Sequence, residues 1–293
     1  MIWRTMCLKP WSLILTKTTH FFIGLYYIYM SRSKIGYTNE NTLICTLARM
    51  NPPTPGHLFV IRKLIQEAIA HDIDHVYVIL SKTNNDKNNP ITCQMKKQVL
   101  GEGEYGVSNK MINSLKKKMI NETSYKSKAS QIQDIAVNLI CVPEETKQTP
   151  FDQIYPIIKK LKGGVNIIVI VGKDREDMMH SISDFYYKMD EVNSVDGHAF
   201  SRSETEVPTT VTVSKVSTEM SGTTIRDLVR DNDIETFKSV YSPYLDELNI
   251  QNLYAKIKEG IETKPSPKST SITRKRKKSP LPFPHIKTGE RRK

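Results

Sequence analysis

Apolar residues along this chain follow two alternating patterns, short unbroken runs and longer stretches in which they recur every third or fourth position. The runs read as strands buried on both faces, and the recurring positions as one-sided helices. The first run covers residues 43–47 (LICTL). Beyond a proline-rich turn, Leu58, Ile61, Leu64, Ile65 and Ala68 recur at helical spacing, with Thr54 as the natural N-cap and Pro55 as the first helical residue. Residues 75–80 (HVYVIL) predict a second strand, and strand, helix and strand completed in about forty residues suit a crossover in a parallel sheet. Residues 136–142 (AVNLICV) predict a third strand, residues 153–161 a short helix stopped by Gly163 and Gly164, and residues 166–171 (NIIVIV) a fourth strand. A fifth is assigned to residues 209–213 (TTVTV) on β-branched content. Residues 181–208 are polar and receive no assignment.

The expected architecture is α/β, an open parallel sheet of about five strands with helices on both faces. Residues 107–132 are rich in Lys, Ser and Asn and predict a charged helix over 109–120 followed by a loop, in the manner of an insertion. Residues 233–260 predict two more helices with Ile234, Phe237, Val240, Tyr241, Leu245, Leu248, Leu253 and Ile257 buried, packed on the sheet edge or forming a face for a homo-oligomer. Three regions result: an N-terminal extension at 1–30, a domain at 31–262 with its core at 42–231 and C-terminal helices at 233–260, and a tail at 263–293. The tail has the Pro, Ser and Lys content of a disordered segment. The apolar run 21–30 (FFIGLYYIYM) has ten residues, short of the roughly 20 needed to span a membrane, so no membrane span is expected. The preceding stretch reads as a weakly structured extension with the functional start near Met30.

Charge sharpens this division. The chain carries +12, yet the tail alone holds eleven Lys and Arg against one Glu, and residues 1–30 hold three basic residues and no acid, which leaves 29 basic and 30 acidic residues in 31–262. The body is near neutral, and electrostatic affinity for nucleic acid belongs to the tail. Arg274 to Lys278 is a basic block that suits nucleic-acid contact or nuclear import, and equally a solubilising tail. Cys7, Cys45, Cys93 and Cys141 form no C-x-x-C pair. Cys45 and Cys141 lie in strand-like runs and are expected as buried reduced thiols in an intracellular, cytoplasmic protein. His71 and His75 are four apart, but the turn expected at 72–74 sends their rings in different directions, so no metal site is expected. Residues 101–106 (GEGEYG) match G-x-G-x-x-G formally but follow a helical stretch, where a dinucleotide fingerprint follows a strand; they read as a turn.

Candidate chemistry gathers at three points. At the first, Thr54, Gly56 and His57 open a helix, aiming backbone N–H groups and the positive end of its dipole above the first strand. There Gly56 permits close approach of an anion and His57 adds a ring donor. The loop 81–91 leaves the second strand on the same side, with Lys82 and Lys87 in reach of a phosphate. The second point is Gly172-Lys173-Asp174-Arg175, at the end of the fourth strand. The third, Met220-Ser221-Gly222-Thr223-Thr224-Ile225-Arg226, places an N-cap serine, hydroxyls and a guanidinium around another helix start.

These motifs carry a resemblance. Arg49-Met50-Asn51-Pro52-Pro53-Thr54-Pro55-Gly56-His57 resembles the (H/T)xGH signature of the cytidylyltransferase-like nucleotidyltransferase superfamily, nearest the nicotinamide-mononucleotide adenylyltransferase-like branch. Residues 220–226 resemble its Ser-(Ser/Gly)-Thr-x-x-Arg motif, and Gly172 to Arg175 its Gly-x-Asp-Arg-like turn. Together they cover about residues 42–231, with Thr54 where many members carry His and Ala48 where Gly is usual. The resemblance implies a Rossmann-like fold and transfer of NMP from an NTP, ATP ahead of CTP, to a phosphorylated small-molecule acceptor such as nicotinamide mononucleotide, with release of pyrophosphate. It implies catalytic roles for His57, Thr54 and Arg226, and nucleotide contacts for Arg49, Asn51, Gly56, Gly172, Asp174, Arg175, Ser221, Gly222, Thr223 and Thr224. Mg²⁺ would arrive on the nucleotide, with no metal site in the protein. The same chain is compatible with a degenerate binding module of this fold tethered to nucleic acid by its tail.

Overall fold

Residues 42–48 are almost wholly apolar because they form the middle of a sheet. In the computed structural model, which describes residues 36–82, 88–101, 110–143, 146–200, 210–213 and 216–263, five strands pair in parallel: β1 (Thr42–Ala48), β2 (His75–Leu80), β3 (Ala136–Cys141), β4 (Val165–Gly172) and β5 (Val192–Phe200). Their order is β3-β2-β1-β4-β5. The chain runs outward from β1 in one direction and from β4 in the other, so the order reverses between these two central strands. In open α/β sheets ligands bind outside the carboxyl ends of the strands at such a reversal. The expectations for residues 1–30, Met30, Lys87, the turn beyond Gly101, and the tail block Arg274 to Lys278 lie outside the described residues.

Both faces of the sheet are covered. Along β1 and β4, Ile44, Ile168 and Ile170 point into one core, and Leu43, Cys45, Ile167, Val169 and Val171 into the other, the period-2 alternation of a strand. The first core is closed by α1 (Pro55–His71), α2 (Cys93–Leu100), α3 (Met111–Asn121) and α4 (Ala129–Asp134). A one-turn helix α5 (Tyr155–Ile158) and α6 (Glu176–Tyr186) close the second. The chain then forms an antiparallel hairpin of β6 (Thr210–Val213) and β7 (Val216–Glu219), followed by α7 (Gly222–Arg230), α8 (Ile234–Tyr241) and α9 (Glu247–Thr263). The result is a Rossmann-like parallel α/β fold. Among the described residues no helix is long and apolar enough to cross a membrane.

The fifth parallel strand is β5 and not residues 209–213. β5 lies at the sheet edge with one neighbour, β4. Of its nine residues only Val192 is buried, so it lacks the apolar run that marks an interior strand. The β-branched segment pairs locally with β7 instead. The short helix expected at 153–161 is a 3₁₀ turn (Phe151–Gln153) followed by α5.

Residues 110–134 are part of the core and not an appended insertion. Met111, Ile112, Leu115 and Met119 are buried against α1, while Glu122 makes a paired contact with both terminal nitrogens of Arg62, itself 7 % exposed. Of the apolar positions expected to be buried in the C-terminal helices, Phe237, Val240, Tyr241, Leu245, Leu253 and Ile257 join the first core. Ile234 is half-buried and Leu248 is 68 % exposed.

Cysteine usage also departs from expectation. Cys93, the first residue of α2, is disulfide-bonded to Cys141, the last residue of β3. β2–β3 pairing carries the end of β3 beside the start of α2, a juxtaposition that a separation of 48 residues conceals. Cys45 is a buried free thiol whose pKa burial pushes up to about 12. Among the described cysteines, the premise of reduced thiols behind an intracellular location therefore holds for Cys45 alone.

Candidate active site

α1 begins where β1 ends, and the turn between them is fixed from several sides. Met50 has a left-handed φ of 43° while its side chain is buried in the first core, and the Asn51–Pro52 peptide is cis. Asn51 is 3 % exposed, and its side chain grips the main chain of Ile91: Nδ2 donates to the carbonyl at 2.9 Å and Oδ1 accepts the N–H at 3.2 Å. The Asn51 carbonyl accepts from Arg226 Nη1 at 2.7 Å. The Pro53 carbonyl accepts from the Tyr241 hydroxyl at 2.7 Å. Thr54 follows in extended conformation as N-cap and Pro55 occupies the first helical turn, as their residue types require.

The structure brings the first and third motifs into direct contact. A Cβ built on Gly56 would sit 2.8 Å from the Met220 carbonyl oxygen, and one on Gly222 would sit 3.0 Å from that of Asn51. Each glycine therefore admits the backbone of the other motif, and for Gly56 this close approach is to protein. Gly56→Ala should cost about 1–3 kcal/mol, the usual range for overpacking, because the Met220 carbonyl that the new Cβ would meet is backbone; urea unfolding of the variant measures it. A cost near zero would show that the two helix starts separate freely.

His57 is half-buried in the first turn of α1. Its Nδ1 accepts the Thr54 N–H at 2.9 Å. A nitrogen that accepts from an amide carries no proton, so in the neutral ring the proton resides on Nε2. The Thr54 hydroxyl is 2.9 Å from the same Nδ1 and 3.4 Å from the Met220 carbonyl, and Thr54 is fully buried. Its side chain thus joins the two motifs from inside.

At the start of α7, Ser221 caps the helix by accepting the Thr224 N–H at 3.1 Å, and its hydroxyl lies 3.0 Å from that of Thr224. Arg226 is expected from its chemistry to face phosphate. In the structure it is 7 % exposed, with Nη1 on the Asn51 carbonyl and Nη2 on Thr223 Oγ1 at 2.9 Å. Thr223 is exposed, and because its oxygen accepts from Arg226 its hydroxyl proton points elsewhere.

The second motif lies at the carboxyl end of β4, the strand next to β1. Gly172 ends β4 in extended conformation and Lys173–Arg175 form one 3₁₀ turn before α6. Arg49 and Arg175 are exposed at the ends of these neighbouring strands. The side chain of Asp174 lies outside what is described. Lys82 donates to the Thr146 carbonyl, which turns it toward the start of the 146–150 segment.

Two residues at the site carried no functional signal in the sequence. Tyr241 reads as one more core position in α8, and only the fold brings its hydroxyl to the Pro53 carbonyl. Lys96 is fully buried in α2 with Nζ donating to the Ser81 carbonyl at 2.8 Å, which holds the loop leaving β2. Its place among other lysines gave no sign of burial. Among the described residues no group of three or more His, Cys, Asp or Glu side chains is placed to hold a metal ion.

Set against protein-family models and against curated proteins, the chain has no match.

Proposed function

We propose that the protein is a nucleotidyltransferase that moves NMP from an NTP, ATP ahead of CTP, to a phosphorylated small-molecule acceptor. The observation that carries this reading is the contact of two helix N-termini, those of α1 and α7, beside the end of β1, made by the two segments that resemble the superfamily's motifs. Two converging helix starts present a set of backbone donors and two positive dipole ends, which suits a polyphosphate better than any neutral ligand.

The reaction is an in-line displacement. An oxygen of the acceptor phosphate forms a bond to the α-phosphorus, the bond from that phosphorus to the bridging oxygen breaks, and pyrophosphate carries the electron pair away. Such transfers depend on positioning and charge stabilisation. In this reading His57 donates from Nε2 to an α-phosphate oxygen as charge develops. The buried Thr54 acts on that step through the ring it touches. The Thr223 hydroxyl and the α7 N-terminus hold the departing phosphates, and the exposed Arg49 and Arg175 supply positive charge at the ends of β1 and β4. Arg226 keeps the two motifs together. Magnesium would arrive with the nucleotide and neutralise phosphate charge.

The test is pyrophosphate release by the full-length protein with Mg²⁺, ATP or CTP, and a panel of phosphorylated acceptors that includes nicotinamide mononucleotide. Release that requires one acceptor and is faster with ATP is the expected result. A folded protein that neither releases pyrophosphate nor binds either nucleotide would overturn the reading.

A further inference from the structure

The Pro53–Thr54 peptide group is hydrogen-bonded at both ends by side chains of the site. Its carbonyl accepts from the Tyr241 hydroxyl at 2.7 Å, and its N–H donates to His57 Nδ1 at 2.9 Å. The four groups form one chain: Tyr241 O–H to Pro53 C=O, then Thr54 N–H to the imidazole. We propose that Tyr241 is a positioning residue for His57, acting through this peptide to hold the ring as the Nε2–H tautomer. This deepens the nucleotidyltransferase reading and, for its effect on turnover, rests on it.

The physical basis is amide resonance. A donor on the carbonyl oxygen draws electron density from the nitrogen and makes the N–H a stronger donor, so hydrogen bonds in series reinforce one another. Tyr241 is fully buried, and its ring is fixed against Phe237 at a centroid distance of 4.8 Å. Burial also pushes its phenol pKa well above the ordinary value, which keeps the hydroxyl a donor throughout the neutral range. The peptide is held close by as well, since Arg226 Nη1 donates to the carbonyl of Asn51, two residues upstream of Pro53. The relay thus runs from α8, an element distant in sequence, through the Pro53–Thr54 peptide to the ring at the start of α1.

The test is ¹⁵N NMR of the histidine rings in the full-length protein, with the His57 signals assigned by their loss in His57→Ala. The wild type is expected to show an unprotonated Nδ1 and a protonated Nε2. In Tyr241→Phe the Nδ1 resonance should shift toward the protonated position as the other tautomer becomes populated. Turnover should fall about tenfold, the scale of one well-placed hydrogen bond, with the KM for NTP changed less than about twofold. Val240→Ala, which removes buried volume from the same helix, should lose stability and leave the His57 pattern unchanged. If Tyr241→Phe does not fold, 3-fluorotyrosine at position 241, a stronger donor of nearly the same shape, should move the Thr54 amide proton downfield, as a stronger N–H···Nδ1 bond does, and an unmoved amide proton would overturn the relay. A wild-type His57 pattern in Tyr241→Phe, or the same change in Val240→Ala, would overturn the relay. A tautomer shift in a protein without nucleotidyl transfer would leave the relay standing and overturn only the catalytic reading.

Discussion

His57→Ala should lower turnover about 10²- to 10³-fold, the usual cost of removing one preorganised donor to developing charge. The expectation follows from where the ring's protons are. Thr54 N–H occupies the acceptor side at Nδ1, so in the neutral ring the donating edge is Nε2–H. The substitution also removes the acceptor for the Thr54 amide, close to a helix cap in its effect, and losses of that kind cost about 1 kcal/mol. The variant should therefore remain folded, with a urea midpoint slightly below the wild type and NTP binding retained through the two helix starts. His57→Gln, whose amide nitrogen can approach the Nε2 position, should recover part of the loss. Unchanged turnover in His57→Ala would refute the role of the ring, and a variant that unfolds without binding NTP would place His57 among structural residues.

The interior of the sheet was legible in the sequence because interior strands have little freedom of composition. β1, β2 and β4 must be apolar on both faces, and the helix at 55–71 shows its buried stripe and its cap. β5 is not legible in the sequence because an edge strand tolerates Asn, Ser, Asp and His. The position of the first motif was legible too, since it sits where an apolar run gives way to a helix opened by Thr54 and Pro55. What the residues touch was not. Gly56 and Gly222 look like openings for a ligand, yet each missing side chain makes room for a carbonyl of the other motif. Asn51 and Arg226 look like nucleotide contacts, but their side chains hold the Ile91 and Asn51 main chains. Such roles depend on distances between segments far apart in sequence, and residue type alone is equally consistent with a bond to phosphate or to a peptide. Tyr241 illustrates the same point from the core, where an aromatic position gives no hint of which carbonyl its hydroxyl will meet.

Reducing the Cys93–Cys141 bond should lower stability by up to about 4 kcal/mol, the loop-closure entropy for a crosslink spanning roughly 48 residues. The folded arrangement does not depend on the bond alone, because β2–β3 pairing and the packing of α2 hold the two ends. The reduced protein should accordingly stay folded and unfold at lower urea. An effect on the site should accompany the loss. Cys93 lies two residues beyond Ile91, whose N–H and C=O are both held by the Asn51 side chain, so the bond ties the start of α2, and with it the partner of the first motif, to the end of β3. Releasing it lets that segment open without unfolding the sheet, which should raise amide exchange at Ile91 before exchange in β1. The experiment pairs urea unfolding of the full-length protein, with and without a phosphine reductant, with thiol counting by alkylation under denaturing conditions. Of the four cysteines, alkylation should find at least two fewer in the oxidised protein than in the reduced one. Equal unfolding midpoints in samples whose thiol counts differ would show that the crosslink does not stabilise the fold. A faster Ile91 exchange at unchanged global stability would instead confine its effect to the mouth of the site.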